Sequence, residues 1–384
     1  MRTAILTGPF LKPQETQVKF HVENLFGGDT VVVAEKVLAG APIDRPVFDI
    51  SAVRGNGPSV AEAVVSLARY RTIRVPGGAL RRNLEAFLTS NGIEAVLAEF
   101  GQISTRVAPV AFDMGIPVFT YFRGADASAH LRNFLRVSAY RRTIPKLDGV
   151  FAVSQSLLDN LASKGVRNSE SLVIPSGVDT SRFRPEPKLA RRCIVIGRLI
   201  EKKRPDVTIR AFARATEGMP DAHLDIFGDG RLRQKCVELV GSLGLSERIT
   251  FHGAQPHHVV CEYLQRASVF LQHSVTAPNG ATEGTPMSVQ EALSCGTVIV
   301  STRHAGIPEV VVEGETGFLV EENDEIAFGD RIYAALNLPE AKVAKMSARA
   351  REFAVANLDN HTLVRRLEEH MVRLAEASRR RRMA

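Results

Sequence analysis

Tryptophan is absent from this 384-residue chain and only five tyrosines are present. Few rings are therefore available as stacking platforms for single-stranded nucleic acid. Cysteine is scarce too. Cys193, Cys236, Cys261 and Cys295 form no C-x-x-C pair, which argues against a metal site or a disulfide framework and for small apolar core residues in a reducing compartment. No apolar run reaches the roughly 18 residues that a membrane-spanning helix needs. The first apolar run breaks at Gly8-Pro9, so it reads as a buried strand and not as a signal peptide. Neither a Gly-x-Gly-x-x-Gly turn after a strand nor a Gly-Lys-Ser/Thr loop occurs, which removes the main supports for a dinucleotide oxidoreductase or a P-loop ATPase. The ten histidines contain no His-Glu-x-x-His, and the adjacent His257 and His258 project to different sides of a helix, so no metal is expected.

What is present is a globular composition, with 45% hydrophobic and 24% charged residues. The length suits two domains better than one. Lys and Arg outnumber Asp and Glu by 49 to 42, giving +7, and the excess is uneven. Arg132, Arg136, Arg141, Arg142 and Lys146 crowd one helix-like segment, 128–146, and Arg379 to Arg382 form a second run. Such patches attract phosphates of any kind, or are simply solvated faces.

Short β-branched runs alternate with helical periodicity along the whole chain, the pattern of parallel sheets covered by helices. Strands are expected at Thr3 to Thr7, Thr30 to Ala34, Ala95 to Ala98, Val118 to Tyr121, Val150 to Val153 and Leu172 to Ile174. Helices are expected over 16–26, 80–90, 104–114, 128–143 and 155–164. A break follows at Pro175 to Asp179, and the polar stretch Arg182 to Arg192 reads as a connection. The pattern then restarts with strands at Cys193 to Ile196, His223 to Phe227, Ile249 to Phe251, Ser268 to Gln272, Thr297 to Ser301 and Gly317 to Val320. Its helices are expected over 205–217, 231–243, 257–266 and 286–295, with Ala341 to Ala354 and Asp359 to Arg379 closing the chain. The expected fold class is α/β: two Rossmann-like doubly wound domains facing across a cleft, with ligands at the carboxyl ends of the strands. The expected boundaries are 1–180, 181–355 and a terminal helix, 356–384, crossing back onto the first domain.

Three strand ends carry candidate chemistry. Gly197 and Arg198 follow the second half's first strand, with Lys203 five residues beyond the arginine. A planar guanidinium and a mobile ammonium suit two linked phosphates, although a solvated mixed-charge run would look the same. Gly228-Asp229-Gly230 is a second turn, able to brush a nucleotide or merely to join strand and helix. In Glu283-Gly284-Thr285-Pro286-Met287-Ser288-Val289-Gln290-Glu291, Pro286 starts a helix whose early amides, around Thr285 to Met287, are positioned for phosphate or sugar oxygens. Glu283 and Glu291 flank that start and suit two polyols separated by a diphosphate; the plainer alternative leaves both facing water. The turn Ser301 to Glu309 fits a loop closing over a ligand or an ordinary surface turn.

In the first half, the segment Pro9 to Thr16 leaves the first strand toward an acceptor, and Tyr121-Phe122-Arg123-Gly124-Ala125-Asp126 leaves another strand on the same edge. Arg123 suits the charge on a leaving phosphate. Asp126 suits a sugar hydroxyl or the orientation of Arg123, and a purely structural Arg–Asp pair fits equally well.

With these residues in place, the chain resembles the GT-B retaining glycosyltransferases of family 4, also called group 1. The resemblance rests on Gly197 to Lys203, Phe227 to Gly230, the Glu283-x7-Glu291 pair, Ser154-Gln155-Ser156 and Val173 to Asp179. Ser274 to Gly280 and Pro9 to Thr16 further resemble enzymes of exopolysaccharide and colanic-acid-type assembly. The resemblance implies a nucleotide-sugar donor, UDP-linked in preference to GDP-linked, with no obligatory cofactor or metal and with retention of anomeric configuration. It implies that Arg198 and Lys203 neutralise the pyrophosphate, Glu291 takes the ribose and Glu283 takes the C3/C4 side of the hexose. Gly197, Gly228, Thr285, Pro286 and Met287 complete the donor pocket, while Arg123 and Asp126 join Glu283, Arg198 and Lys203 at the chemistry. The implied acceptor is a saccharide or lipid-linked saccharide; the basic segment 128–146 is either a solvated face or a docking site for the first domain at a cytoplasmic membrane surface that bears anionic lipid and the lipid-linked acceptor. Nucleic acid is not an expected partner. Many members carry His-Gly-x-Asp where this chain has Arg123-Gly124-Ala125-Asp126, and arginine cannot serve as a base. The competing readings are a nucleotide-sugar epimerase or phosphorylase-like enzyme of the same fold, and a non-enzymatic anion- or nucleic-acid-binding protein.

Overall fold

The computed structural model describes residues 1–10, 16–38, 44–53 and 58–383. These divide into two compact units, Met1–Pro175 with the residues from His361 onward, and Ser176–Asn360. The units part at Pro175/Ser176 and not at 180/181, and at Asn360/His361 and not at 355/356. The polar stretch Arg182 to Arg192, read as a connection, lies inside the second unit and ends within a strand.

The first unit runs β1 (Thr3–Phe10), α1 (Thr16–Asn24), β2 (Thr30–Val37), β3 (Val47–Asp49), α2 (Val60–Tyr70), α3 (Gly78–Ser90), β4 (Ala95–Ala98), α4 (Gly101–Asp113), β5 (Val118–Phe122), α5 (Phe134–Thr143), β6 (Gly149–Ala152), α6 (Gln155–Ser163) and β7 (Ser171–Val173). Its sheet is parallel in the order β3-β2-β1-β4-β5-β6-β7. The strand order reverses direction between β1 and β4, the switch point at which such sheets open a crevice. β1, β4, β5 and β6 are buried almost throughout, because helices shield both faces.

Ser176–Asn360 holds β8 (Leu189–Ile196), α7 (Pro205–Ala215), β9 (His223–Phe227), α8 (Arg233–Ser242), β10 (Ile249–Gly253), α9 (His257–Arg266), β11 (Ala267–Gln272), α10 (Met287–Ser294), β12 (Val298–Thr302), β13 (Gly317–Val320), α11 (Glu325–Leu336) and α12 (Glu340–Asn357). This parallel sheet is ordered β10-β9-β8-β11-β12-β13, with its switch point between β8 and β11. Helix α13 (Asn360–Met383) follows. Leu363, Leu367, Met371 and Leu374 recur at helical spacing along it and join the first unit's core.

Several expectations needed correction. The helix expected over 128–143 is a short 3-10 turn, Ala129–Arg132, followed by α5, with Asn133 capping the backbone N–H of Arg136 at 3.0 Å. Pro286 lies outside α10 as its N-cap residue, and its carbonyl accepts from Val289 and Gln290 at 3.1 and 3.3 Å. β3, α2 and α11 carry no expectation in the sequence reading. Leu11 to Glu15, most of the expected acceptor loop, lie outside the described residues; Pro9 and Phe10 belong to β1. All four cysteines are buried and unbridged.

Candidate active site

At the second unit's switch point, β8 ends at Ile196 and the chain turns through Gly197, whose N–H donates to the Phe227 carbonyl at 2.9 Å. The turn after β9 lies directly against it. Leu199 N–H donates to the Asp229 carbonyl at 2.9 Å. A Cβ on Gly228 would stand 2.0 Å from the Gly197 carbonyl oxygen, and one on Gly230 would stand 2.4 Å from that of Leu199. Both glycines have positive φ as well, so the backbone-to-backbone approach alone requires them. No ligand contact has to be invoked to explain this Gly-x-Gly turn.

Beyond Leu199 a 3-10 turn, Glu201–Lys203, points two ammonium groups at one carboxylate. Lys202 Nζ lies 2.9 Å from Glu283 Oε2, and Lys203 Nζ lies 3.0 Å from Glu283 Oε1. Lys202 also donates to the Thr282 carbonyl at 3.2 Å. Glu283 is only 7% exposed. Burial pushes its carboxyl pKa upward, but Lys203 and Lys202 override that and hold it at about 2. Burial pulls the Lys203 ammonium below its usual value, with Glu283 opposing and Lys202 and Arg198 reinforcing the shift. Two cations on one anion leave this trio with a surplus positive charge. Arg198 stands beside it, exposed, with no side-chain partner among the described residues. The sequence reading placed Lys203 and Glu283 on different parts of a donor; the structure joins them and adds Lys202.

Glu283 is anchored from behind as well. Its backbone N–H donates to His304 Nε2 at 3.0 Å, so the ring's proton sits on Nδ1, which faces Glu322 Oε1 at 2.5 Å. Gly306 N–H donates to the Gly284 carbonyl at 3.1 Å. The Ser301-to-Glu309 turn thus braces the Glu283 segment from its own side. A buried polar chain runs from Ser288 Oγ to Gln272 Oε1 (3.1 Å), from Gln272 Nε2 to Ser274 Oγ (2.9 Å) and on to Glu283 Oε1 (3.4 Å).

On α10, Glu291 is 5% exposed and its Oε1 meets His257 Nε2 at 2.8 Å. Both glutamates are therefore buried and partnered, which removes the alternative of a solvated amphipathic helix. Gln290 ties the helix start down, donating to the Thr285 carbonyl at 3.0 Å and accepting from Gly177 N–H at 2.9 Å. Pro286 has no N–H, so Thr285 and Met287 are the segment's possible amide donors.

The first unit carries a separate charged cluster at its own switch point. Glu99, immediately after β4, is fully buried, and Arg123 donates to its Oε2 through Nε at 2.8 Å and through Nη2. His21 Nδ1 meets the other oxygen at 2.7 Å. Burial works against ionisation of Glu99, yet Arg123 and His21 hold its pKa at about 2. The Arg123 guanidinium stacks over Tyr121, 4.3 Å from the ring centroid, and its Nη1 is buried without a hydrogen-bond partner among the described residues. Asp126 makes no ion pair with Arg123. Its carboxylate instead accepts the backbone N–H groups of Arg123, Gly124 and Gly101 at 3.1, 2.9 and 3.2 Å, pinning the turn to the start of α4. Burial pushes its pKa up. The sequence reading missed Glu99, His21, Lys202, His257 and His304. For Glu99 a signal existed, an acid directly behind an apolar strand; the others pair across long sequence separations.

Two parallel sheets, each with a charged cluster beside its switch point, define a GT-B-type α/β protein. Residues 179–353 match the family model Glycosyl transferases group 1, and residues 46–182 match Glycosyltransferase Family 4. The chain is 30% identical over 281 residues to "Putative colanic acid biosynthesis glycosyltransferase WcaL" of Escherichia coli K12, covering 71% of this chain and 69% of that protein. Crystal structures of Anabaena Alr3699/HepE in complex with UDP and with UDP-glucose superpose with a TM-score of 0.73, at 18% and 17% identity, covering 96% of this chain and 99% of theirs. Sucrose-phosphate synthase from Thermosynechococcus elongatus gives 0.75 at 17% identity over 98% and 100% of the two chains. At these identities the structural likeness is one of fold. The chain belongs to the group 1/family 4 glycosyltransferases. It is accordingly an enzyme that transfers a hexosyl group from a nucleotide-diphosphate sugar to an acceptor.

Proposed function

We propose that this transferase uses a UDP-sugar, retains anomeric configuration and extends a saccharide or lipid-linked saccharide during bacterial exopolysaccharide assembly on the cytoplasmic side of the membrane. The observation that carries the reading is the surplus positive charge of Lys202, Lys203 and Glu283 beside an exposed Arg198, at the switch point of a doubly wound sheet. A diphosphate is the ligand such an edge suits. Arg198 and Lys203 face the two phosphates, Glu283 fixes both the Lys203 ammonium and the hexose, and Glu291 takes the ribose hydroxyls. UDP bound in HepE and the colanic acid biosynthesis in WcaL's name support the choice of donor and product. Basic segment 128–146 supports peripheral contact with anionic lipid.

The acceptor hydroxyl attacks the anomeric carbon as the bond from that carbon to the diphosphate oxygen breaks, on the same face. A departing phosphate oxygen takes the hydroxyl proton, so the products are the glycoside and the protonated nucleoside diphosphate. The cationic edge stabilises the leaving charge without reorganising. Arg123 cannot act as a base; its guanidinium is held in the first unit by the ionised Glu99.

Arg198→Ala should lower turnover of a UDP-sugar at least roughly tenfold while leaving the melting temperature unchanged, because a charged contact to ligand is lost from an exposed side chain. A rate within threefold of the parent would remove Arg198 from the donor site. Glu291→Gln should raise the donor KM by about tenfold or more, the cost of losing a charged acceptor for two hydroxyls; near-normal KM moves the ribose elsewhere. NMR of the new linkage tests retention, and a panel of UDP- and GDP-sugars tests the base.

A further inference from the structure

The first unit holds a cavity of about 310 Å³ that the donor chemistry leaves unused. It opens at the carboxyl edge of the sheet, where the last residues of β2 and the Ile50–Ala52 turn behind β3 meet the first two turns of α4. α4 leaves the end of β4, so the cavity lies beside the crevice at which this sheet reverses its order. Ile103 and Val107, four apart and therefore on one face of α4, form its apolar wall together with Ile50. Its volume is at the low end for a ligand pocket, suited to a single sugar residue and too small for a nucleotide sugar.

The charge in this cavity does not balance. Two arginines, Arg74 and Arg106, line it with one acid, Glu35. Glu35 meets Arg106 through Nη1 alone, which leaves most of the five N–H donors of that guanidinium for another ligand. Arg74 is exposed, and its side chain has no partner among the described residues. Arg136, in the first turn of α5, is close enough to repel Arg106, and its own Nη1 is buried without a partner among the described residues. Asp49, at the end of β3, adds no compensation, because its carboxylate is taken up by the Val37 and Ser51 amides and the Ser51 hydroxyl. Aliphatic walls suit the C–H face of a sugar ring, and a planar set of spare guanidinium donors suits a carboxylate or phosphate attached to it.

We infer that this cavity is an acceptor subsite for a sugar residue that bears an anionic substituent, with Arg106 and Arg74 holding the charge and Ile103 and Val107 packing on the ring. The inference rests on the transferase reading above and gives its acceptor a charge.

Three probes with one ring test it: methyl glucoside, methyl glucuronoside, and methyl glucoside phosphorylated on the exocyclic carbon that carries the carboxylate in the second. Calorimetric titration of the full chain measures their affinities. A charged probe should bind at least roughly tenfold more tightly than the neutral one, the size of a charge-assisted hydrogen bond, and which of the two does so tells carboxylate from phosphate. Arg106→Gln should abolish that preference. Arg74→Gln, at an exposed position where folding is not at stake, should reduce it about threefold. Arg71→Gln, exposed on the same unit but outside the cavity, should leave it intact. Equal affinities, or no binding of any probe, overturn the inference. So does a preference that survives both Arg106→Gln and Arg74→Gln, or one that Arg71→Gln reduces as far as Arg74→Gln does, the mark of a diffuse basic surface. UDP titrated into the parent chain reports on the donor site by itself. UDP binding without any preference among the probes strikes the subsite and spares the transferase reading, whereas no UDP binding removes that reading and the inference with it.

Discussion

Glu283→Ala is expected to destabilise the protein by roughly 3–5 kcal/mol, the cost of leaving buried cations without their anion. Lys202 and Lys203 both point at this carboxylate with little access to water, and no other carboxylate among the described residues pairs with either. The same change should lower donor turnover by at least about a hundredfold, because Lys203 loses the partner that fixes it. Glu283→Gln keeps the shape but not the charge, and should fall nearly as far. Equilibrium urea unfolding together with turnover on a UDP-sugar measures both effects. Adding Lys202→Met to Glu283→Gln removes one of the stranded charges, so part of the lost stability should return while activity does not. A Glu283→Gln protein as stable as the parent, with turnover within threefold, would mean that the buried trio neither supports the fold nor serves the donor.

The second large effect concerns Glu99 and the response to acid. Glu99→Gln strands the Arg123 guanidinium in the first unit's interior, again at a cost of roughly 3–5 kcal/mol. Glu99 and Glu283 both stay ionised in the folded protein down to about pH 2, against an ordinary value of 4.5. An acid whose pKa is lowered by folding contributes stability that is complete above its unfolded value and fades as the pH falls through the folded one. Melting temperature should therefore hold steady above about pH 5 and drop between 4.5 and 2. Asp126, whose pKa burial raises, acts in the opposite sense and offsets a part of the drop. Glu99→Gln and Glu283→Gln should each flatten the curve below pH 4.5 while lowering it at neutrality. An acid limb of unchanged slope in both variants would place the acid sensitivity in other carboxylates.

The elements that sequence left unmarked have individual physical causes. β3 spans three residues, too few for alternation to register. α11 contains Gly329 within its length, which lowers helical propensity. α2 has a helical apolar stripe at Val60, Val64 and Leu67 that is legible in the sequence; that the stripe faces away from the core is what only the tertiary structure shows. The Arg123–Asp126 ion pair, one of the two readings left open by the sequence, does not form, for another reason. Two residues can be near in sequence while the turn directs one carboxylate at backbone amides and the guanidinium at a different strand's end.

By itself the sequence determined the two runs of β-α units, the glycine turns at strand ends and the Glu283, Pro286, Glu291 grouping, because each depends on local periodicity or on neighbours within a few residues. Only the tertiary structure decided who pairs with whom. Lys202 reaches Glu283 across 81 positions, His21 reaches Glu99 across 78, and His257 reaches Glu291 across 34. A buried charge accepts whichever opposite charge or hydrogen-bond partner the packed strand ends bring within about 3 Å, and no spacing along the chain encodes that distance.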